Sequence, residues 1–373
     1  MSKGEWQLSM IVKKLVFSSF RNLIKTEFTP GERFNVFHGN NGQGKTNILE
    51  AIYVLGTMKS FRHAKNKDLI RWNDPFSLIK GIVEKDGVTR EITLLIEKDG
   101  KKARVDRKSL ERLSDFFGCL NVVVFSPEEL TMVKGTPELR RRYLDRAVFA
   151  AEPGYLTLHH EYTRILKNRN ALLKSGSREG LDIWSDKLVE SGARVVMQRL
   201  SWLQGMKYLL QQFHNGISGT GGIVELAYRT VPGGIPLEQG SYEEQLRLTL
   251  TRMANEEFRR GTTQAGPHRD DIELLLDGRP IKLFGSQGEQ RSFILALKMA
   301  EIEYLHKFHG NPPVLLLDDM TSELDSQRNR NLLHFLEEKQ MQVFITTTTP
   351  DNLNAGNREN YQMYPVEQGK IIH

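Results

Sequence analysis

The sequence predicts an α/β chain: mixed sheets around a phosphate-binding core, with a mostly helical second lobe inserted into it. Three observations carry that expectation. Gly39-Asn40-Asn41-Gly42-Gln43-Gly44-Lys45-Thr46 reads G-x-x-x-x-G-K-T and stands between a strand pattern and a helix pattern. The apolar period turns helical near residue 128 and returns to strand alternation at Ile272. Val314-Leu315-Leu316-Leu317-Asp318-Asp319 is an apolar run ending in two acids, the pattern of a central parallel strand. These place residues 1–127 and 261–373 in one discontinuous nucleotide-binding lobe and residues 128–260 in a helical lobe.

Composition sets the bounds. At 373 residues the chain can build two or three domains' worth of core. Its 39% hydrophobic and 26% charged content is that of an ordinary globular protein. No apolar run approaches the ~20 residues of a membrane helix. Met1-Ser2-Lys3-Gly4-Glu5-Trp6 lacks the apolar core of an export signal. Met10, just before a strand pattern, offers an alternative start, with residues 1–9 as an unstructured leader. Cys119 is the single cysteine, so neither an internal disulfide nor a Cys₂His₂ zinc site is available. It reads as a small buried hydrophobe, and the expected compartment is the reducing cytosol. A formal charge of +6 permits a polyanionic partner without requiring one.

In chain order, Val12–Phe17 and Ile24–Phe28 read as two strands around the turn Phe20-Arg21-Asn22-Leu23. Phe34–Phe37 leads into the glycine-rich stretch, and Ile48, Ile52 and Leu55 follow at the spacing of one helix face. Residues 77–105 alternate as an antiparallel meander with turns at Asp86-Gly87 and Asp99-Gly100. Val122–Phe125 is a buried strand stopped by Ser126-Pro127. Helices start at Pro127 and Pro137, then span Tyr155–Lys174 and Leu181–Phe213. A short strand, Val224–Tyr228, and a helix, Tyr242–Arg260, complete the insertion.

The chemistry begins at the glycines, which let the backbone curl close to phosphate without a Cβ in the way. The following helix adds its N-terminal N–H groups. Lys45 is expected to reach the β- and γ-phosphates and Thr46 to bind Mg²⁺. Asp318, at the tip of its strand, would hold Mg²⁺ directly or through water, and Asp319 would polarise the attacking water. Ser286-Gln287-Gly288-Glu289-Gln290 precedes an apolar helix over Phe293–Leu305, so its N–H groups make an anion site. Thr321-Ser322-Glu323-Leu324-Asp325 follows the acidic pair, and Val343–Thr346 is a natural neighbouring strand. Arg62 reads equally well as a nucleotide or DNA contact and as a plain surface arginine. His268, Asp270 and Asp271 suggest a metal set, but Mg²⁺ already has Thr46 and Asp318, so a structural role is favoured.

The ordered set of phosphate loop, Ser286-Gln287-Gly288-Glu289-Gln290, acidic strand and Ser322–Asp325 turn resembles an ABC ATPase head of the SMC type. It resembles more closely the RecF family of bacterial DNA-repair proteins, across nearly the whole chain from Met10. Phe20-Arg21-Asn22, Gly39–Asn47, Lys59-Ser60-Phe61-Arg62, Phe125-Ser126-Pro127-Glu128, Arg141-Arg142, Leu144-Asp145, Leu166-Lys167, Arg169-Asn170 and Gly266–Asp270 carry that likeness. It implies ATP and Mg²⁺ as cofactors, with Asn47 added to the nucleotide-binding set. It implies that Ser286, Gln287 and Gly288 cap the γ-phosphate on a second subunit, and that the Asp325 turn carries information across that interface. Lys45, Asp318 and Asp319 would be the catalytic residues of a weak, DNA-stimulated ATPase. The implied role is a nucleoid-associated clamp in recombinational repair and replication-fork maintenance. ATP would drive homodimerisation on double-stranded, gapped or single-stranded DNA, with RecR and RecO helping to load RecA at gaps. Three positions depart from the ABC pattern. Thr347 stands where a switch histidine is usual, and Asp319 replaces a glutamate, which suggests slow hydrolysis. No clear lobe-linking glutamine is present, and Glu128 or Glu129 takes that place. Arg140, Arg141, Arg142, Arg146, Arg259, Arg260 and Arg269 are the candidate DNA-backbone contacts.

Overall fold

The structure is a computed structural model and describes residues 10–110, 115–218, 221–231, 233, 239–320, 324–353 and 360–372. The leader expected at residues 1–9 and the turn residues Thr321, Ser322 and Glu323 lie outside the described residues. The described residues fall into two compact units, one within Met1–Leu130 and Ile302–His373, the other within Thr131–Glu301.

In the first unit, β1 (Met10–Phe20) and β2 (Leu23–Phe28) form the expected hairpin. After β3 (Phe34–His38), α1 (Lys45–Thr57) and the short α2 (Asn66–Leu69), the meander runs through β4 (Ser77–Lys85), β5 (Val88–Ile96), β6 (Lys101–Val105) and β7 (Lys108–Ser109). These strands make an antiparallel sheet in the order β2-β1-β4-β5-β6-β7. Asp86 and Gly87 both take left-handed φ, as a two-residue hairpin turn requires. β8 (Val122–Phe125) then enters a second sheet and leads to the short α3 (Pro127–Thr131).

The second unit follows: α4 (Pro137–Ala151), α5 (Tyr155–Ser175), α6 (Leu181–Ser218), β9 (Val224–Arg229), α7 (Gln239–Arg260), β10 (Asp271–Leu276), β11 (Arg279–Pro280) and α8 (Ile281–Phe284). β10 lies between β9 and β11, antiparallel to both. That pairing corrects the expected boundary. Residues 261–301 group with the inserted unit, because β10 pairs along its whole length with β9 and Arg140 of α4 grips Asp271. A period-two pattern marks a strand but does not say which sheet takes it.

α9 (Gln287–His309) runs on from the second unit into the first, which continues with β12 (Val314–Asp318), α10 (Ser326–Glu338), β13 (Val343–Thr347), β14 (Tyr361–Glu367) and β15 (Lys370–Ile371). The second sheet has the order β15-β14-β3-β13-β12-β8. β14, β3, β13, β12 and β8 are parallel, which explains the unbroken burial of β8, β12 and β13.

α1 packs against strands of both sheets. Leu49, Ala51 and Val54 are therefore buried along with Ile48, Ile52 and Leu55, so the helix has no solvent face although one apolar stripe was expected. Gln342 stitches the sheets together: its Oε1 accepts from Val12 N at 2.8 Å, and its Nε2 donates to Val12 O and Gly31 O. A buried amide leaving those groups unpaired would cost roughly 1–3 kcal/mol each.

Candidate nucleotide-binding site

β3 delivers the chain to residues 39–44, and α1 begins at Lys45 with its first N–H groups free of helical partners. Gly39, Gly42 and Gly44 have φ of +143°, +79° and +109°. At Gly44 a Cβ would stand 2.8 Å from the Asn22 amide, so glycine is needed for both conformation and space. The loop is braced from two sides. Asn22 Nδ2 donates to Gln43 O at 3.3 Å, and its Oδ1 accepts from Asn47 Nδ2 at 2.8 Å. Gly369 N donates to Gln43 O, and Gln368 N to Gln43 Oε1 at 2.7 Å.

Lys45 Nζ donates to the carbonyls of Gly39, at 2.6 Å, and Asn40, at 2.9 Å. Its ammonium is thus held over the loop. Burial pulls its pKa down, while the Asp319 and Asp318 carboxylates oppose that shift. Thr46 Oγ1 and Thr346 Oγ1 each donate to Asp318 Oδ1 at 2.8 Å. Burial pushes Asp318 above the usual carboxylate range; the two hydroxyl bonds resist, and the charges of Glu128 and Asp319 add to the rise. A desolvated carboxylate beside a hydroxyl, all hard oxygen donors, fits Mg²⁺. Asp319 takes φ +50°, and its N–H reaches Thr346 Oγ1 at 3.0 Å. The turn after β12 therefore aims the second acid differently from the first. Thr347 is buried at the end of β13, and its Oγ1 accepts from Thr349 N.

Glu50 sits fully buried on α1, one turn beyond Thr46. Arg21 donates to both of its oxygens, at 3.0 and 2.9 Å, and Ser60 Oγ adds a third bond. Arg62 lies 3.7 Å from Glu50 and donates to Asn47 Oδ1 at 3.2 Å. The turn that places Asn22 against the loop is thereby fastened to the helix that carries Lys45 and Thr46. Asn22, Glu50 and Thr346 had no role assigned from sequence. The available signal was Glu50 itself, an acid in an otherwise apolar helix run.

In the second unit, Ser286 and Gln287 are exposed and Gly288 half-buried, so the segment faces outward. Ser286 N donates to Glu289 Oε2 at 2.7 Å and Glu289 N to Ser286 Oγ at 3.2 Å, a capping box at the start of α9. Gln290 turns inward and donates to Gly285 O at 2.8 Å. Just before the serine, Leu283 and Phe284 are 71% and 65% exposed. Asp325, in the first unit, caps α10 by accepting from Gln327 N and Arg328 N, and its side chain also pairs with Arg328.

The candidate DNA contacts differ in their surroundings. Arg140 is buried and grips Asp271 through two bonds, at 2.8 and 2.6 Å, so it faces away from any backbone. Arg141 donates to Asp270 O, and Arg146 lies over the Tyr143 ring. Arg142, Arg259 and Arg260 are exposed and paired with Glu138 or Glu256. Arg269 is exposed and donates to Thr263 O. His268, Asp270 and Asp271 do not converge on a metal. His268 Nε2 meets the Thr263 carbonyl and must carry the proton, which leaves Nδ1 to accept from Tyr162. Asp270 accepts from Tyr228 and Val231 N, and among the described residues no group of three or more such ligands is arranged to hold a metal.

The RecF/RecN/SMC N terminal domain family matches residues 11–372. The DNA replication and repair protein RecF of Geotalea uraniireducens is 55% identical over 368 residues, covering 98% of this chain and 100% of that protein. The RecF of Bacillus subtilis is 38% identical over 370 residues, covering 97% and 100%. A solved structure of the recombination mediator protein RecF-ATPrS in the RecFOR pathway superposes with a TM-score of 0.88 at 32% identity, covering 97% of this chain and 98% of that one. The Pyrococcus furiosus Smc head domain shares the fold, with a TM-score of 0.53 at 16% identity over 97% of this chain and 96% of its own. Among the described residues, no helix is long and apolar enough to cross a membrane.

Proposed function

The chain belongs to the RecF family of DNA replication and repair proteins, and on that premise we propose that it is an ATP-gated DNA clamp of recombinational repair. It is an ATPase with an SMC-type head. The observation that carries the clamp reading is a division of labour within the chain. Lys45, Thr46, Asp318 and Asp319 gather at one set of strand ends, while Ser286 and Gln287 stand exposed on a segment of the other unit.

Lys45 exchanges the carbonyls of Gly39 and Asn40 for phosphate oxygens when ATP enters. The N–H groups at the start of α1 and the glycine backbone take the remaining phosphate charge. Thr46 and Asp318 would hold Mg²⁺, which neutralises charge on the β- and γ-phosphates when bound. Asp319 orients the attacking water and accepts its proton, and a side chain one carbon shorter than glutamate makes this step slow. Ser286, Gln287 and Gly288 of a second copy recognise the γ-phosphate with α9's N-terminal N–H groups. Leu283 and Phe284 supply apolar area beside that contact. ATP thus stabilises a dimer through contacts that neither monomer makes alone, and hydrolysis releases it. DNA lies against the exposed basic surface by sequence-independent, salt-sensitive contacts, and stimulates turnover. RecR and RecO are the expected protein partners in loading RecA at gaps.

Sedimentation with ATP, ADP or no nucleotide tests this reading. Lys45→Arg is expected to abolish or weaken the ATP-dependent dimer, and Asp319→Asn to bind ATP and accumulate it. If both variants dimerise like the parent without nucleotide, the gating reading is wrong.

A further inference from the structure

We infer that residues 59–76 form a single-strand-reading DNA contact, in which Trp72 stacks on an unpaired base while Lys59, Arg62, Lys65 and Lys67 engage phosphates. The inference rests on the DNA-binding reading above and gives it a specific site.

Trp72 is 87% exposed, the most exposed large hydrophobic side chain among the described residues, and Phe76 nearby is 45% exposed. A tryptophan that folding could bury would remove on the order of 150–250 Å² of surface from water. Here the indole stays in solvent while its chain neighbours are packed. Phe61, Leu69 and Ile70 are buried, and Phe61 packs edge-on against Tyr53 of α1. Arg71 N donates to Ser19 O and Arg21 N to Leu69 O, both at 2.9 Å, and Phe20 bridges Ile70. The segment is therefore clamped, and the indole is displayed on a fixed support.

Charge selects the occupant. Lys59, Lys65 and Lys67 are exposed along the same segment, as is Arg62, which also lies 3.7 Å from Glu50 and donates to Asn47. Its two acids are both engaged: Asp68 accepts from Lys65 N, and Asp74 lies 3.8 Å from Arg71. A displayed aromatic on a segment that also exposes several cations is the combination that binds single-stranded nucleic acid, because every base has a face to stack and every nucleotide a phosphate. A protein-docking anchor would instead sit within an apolar patch depleted of lysine.

The same clamp leads to the nucleotide. The backbone bonds at residues 19–21 and 69–71 join the segment to the turn holding Arg21 and Asn22, and those residues brace α1 and the phosphate loop. DNA seated on Trp72 thus bears on the support of Lys45 and Thr46.

The test is fluorescence anisotropy with labelled single-stranded, gapped and fully duplex oligonucleotides, with ATP present, comparing Trp72→Ala, Trp72→Phe and Lys65→Ala/Lys67→Ala with the parent. Trp72→Ala should weaken single-stranded and gapped DNA on the order of tenfold, leave duplex nearly unchanged, and be largely restored by Trp72→Phe. The double lysine variant should weaken all three and reduce the salt slope by about one to two. Unchanged affinities in Trp72→Ala overturn the inference, as does an equal loss on duplex. Loss of binding to a RecR partner with DNA affinities intact would assign the indole to a protein and overturn it too. A parent chain that binds none of the three DNAs sinks the DNA-binding reading and this inference with it.

Discussion

Replacing Arg21 with alanine would strike the support of the site without touching a nucleotide contact. Glu50 is wholly buried, and Arg21, whose side chain is 21% exposed, provides two of its hydrogen bonds. Removing one partner of a buried ion pair costs about 3–5 kcal/mol, because the other charge stays behind without compensation. Ser60 still donates to Glu50, and Arg62 remains 3.7 Å away, so the loss should fall near the low end, about 3 kcal/mol. For a unit of about 200 residues, each kcal/mol moves the melting temperature about 2–4 °C, which gives a drop of roughly 6–12 °C. Glu50→Gln keeps the shape without the charge, and Arg21 can reach water, so that variant should lose only about 1 kcal/mol. The double variant Arg21→Ala/Glu50→Gln should be more stable than Arg21→Ala alone, which is the signature of coupling. ATP affinity should fall in Arg21→Ala, since Asn22 shares the loosened turn. The assay is thermal and urea unfolding, following the transition that ATP shifts. An Arg21→Ala loss below 1 kcal/mol, or strictly additive effects, would refute this account of the support.

Two further outcomes turn on proton linkage. Burial raises the pKa of Asp318 above its ordinary 3.8, so its ionisation opposes folding; that opposition is absent below the ordinary value and grows as pH rises through the folded one. Asp318→Asn can accept both hydroxyl bonds uncharged, so it should melt higher than the parent at neutral pH, converge with it on acidification, and release no phosphate from ATP; equal melting across the range would contradict this. His268 has its pKa lowered to about 4 from 6.5, chiefly by burial, so its contribution is complete above the ordinary value and is lost as pH falls from 6.5 to about 4. Allowing for partial solvent contact, that is about 2 kcal/mol, and His268→Gln should flatten the acid limb of urea unfolding measured between pH 7 and 4.5; an unaltered limb would show that the ring does not stay neutral.

Much of the site was legible because phosphate chemistry constrains residue type at fixed spacing. Gly39, Gly42 and Gly44 do take positive φ, and Lys45, Thr46 and Asp318 do meet, because a parallel sheet brings loop 39–44 and the end of β12 to one edge. That β13 lies beside β12 was legible, and the two do pair; the part of Thr346 was not, because an apolar strand pattern does not say that the hydroxyl at its end donates to Asp318. Nor was the role of Asn22, which lies in a turn that composition alone leaves polar and whose partners Gln43 and Asn47 stand far along the chain. Arg140 of α4 was not legible as an interior residue, for a related reason. The sequence listed it among candidate DNA contacts, and only the Asp271 carboxylate shows that it points inward. The boundary at residue 261 failed because an alternating run fits any sheet, and β10 was claimed by β9.

The account turns on one copy completing the other's nucleotide site, and mixing two defective variants tests this directly. Lys45→Arg lacks the phosphate grip and Ser286→Arg lacks the cap, so neither alone should dimerise with ATP in sedimentation velocity. A mixed pair has one intact site, with Lys45 from one chain and Ser286 from the other. ATP-dependent heterodimers, weaker than the parent dimer, are the expected result. A mixture that stays monomeric, or a Ser286→Arg chain that dimerises with ATP like the parent, would contradict it.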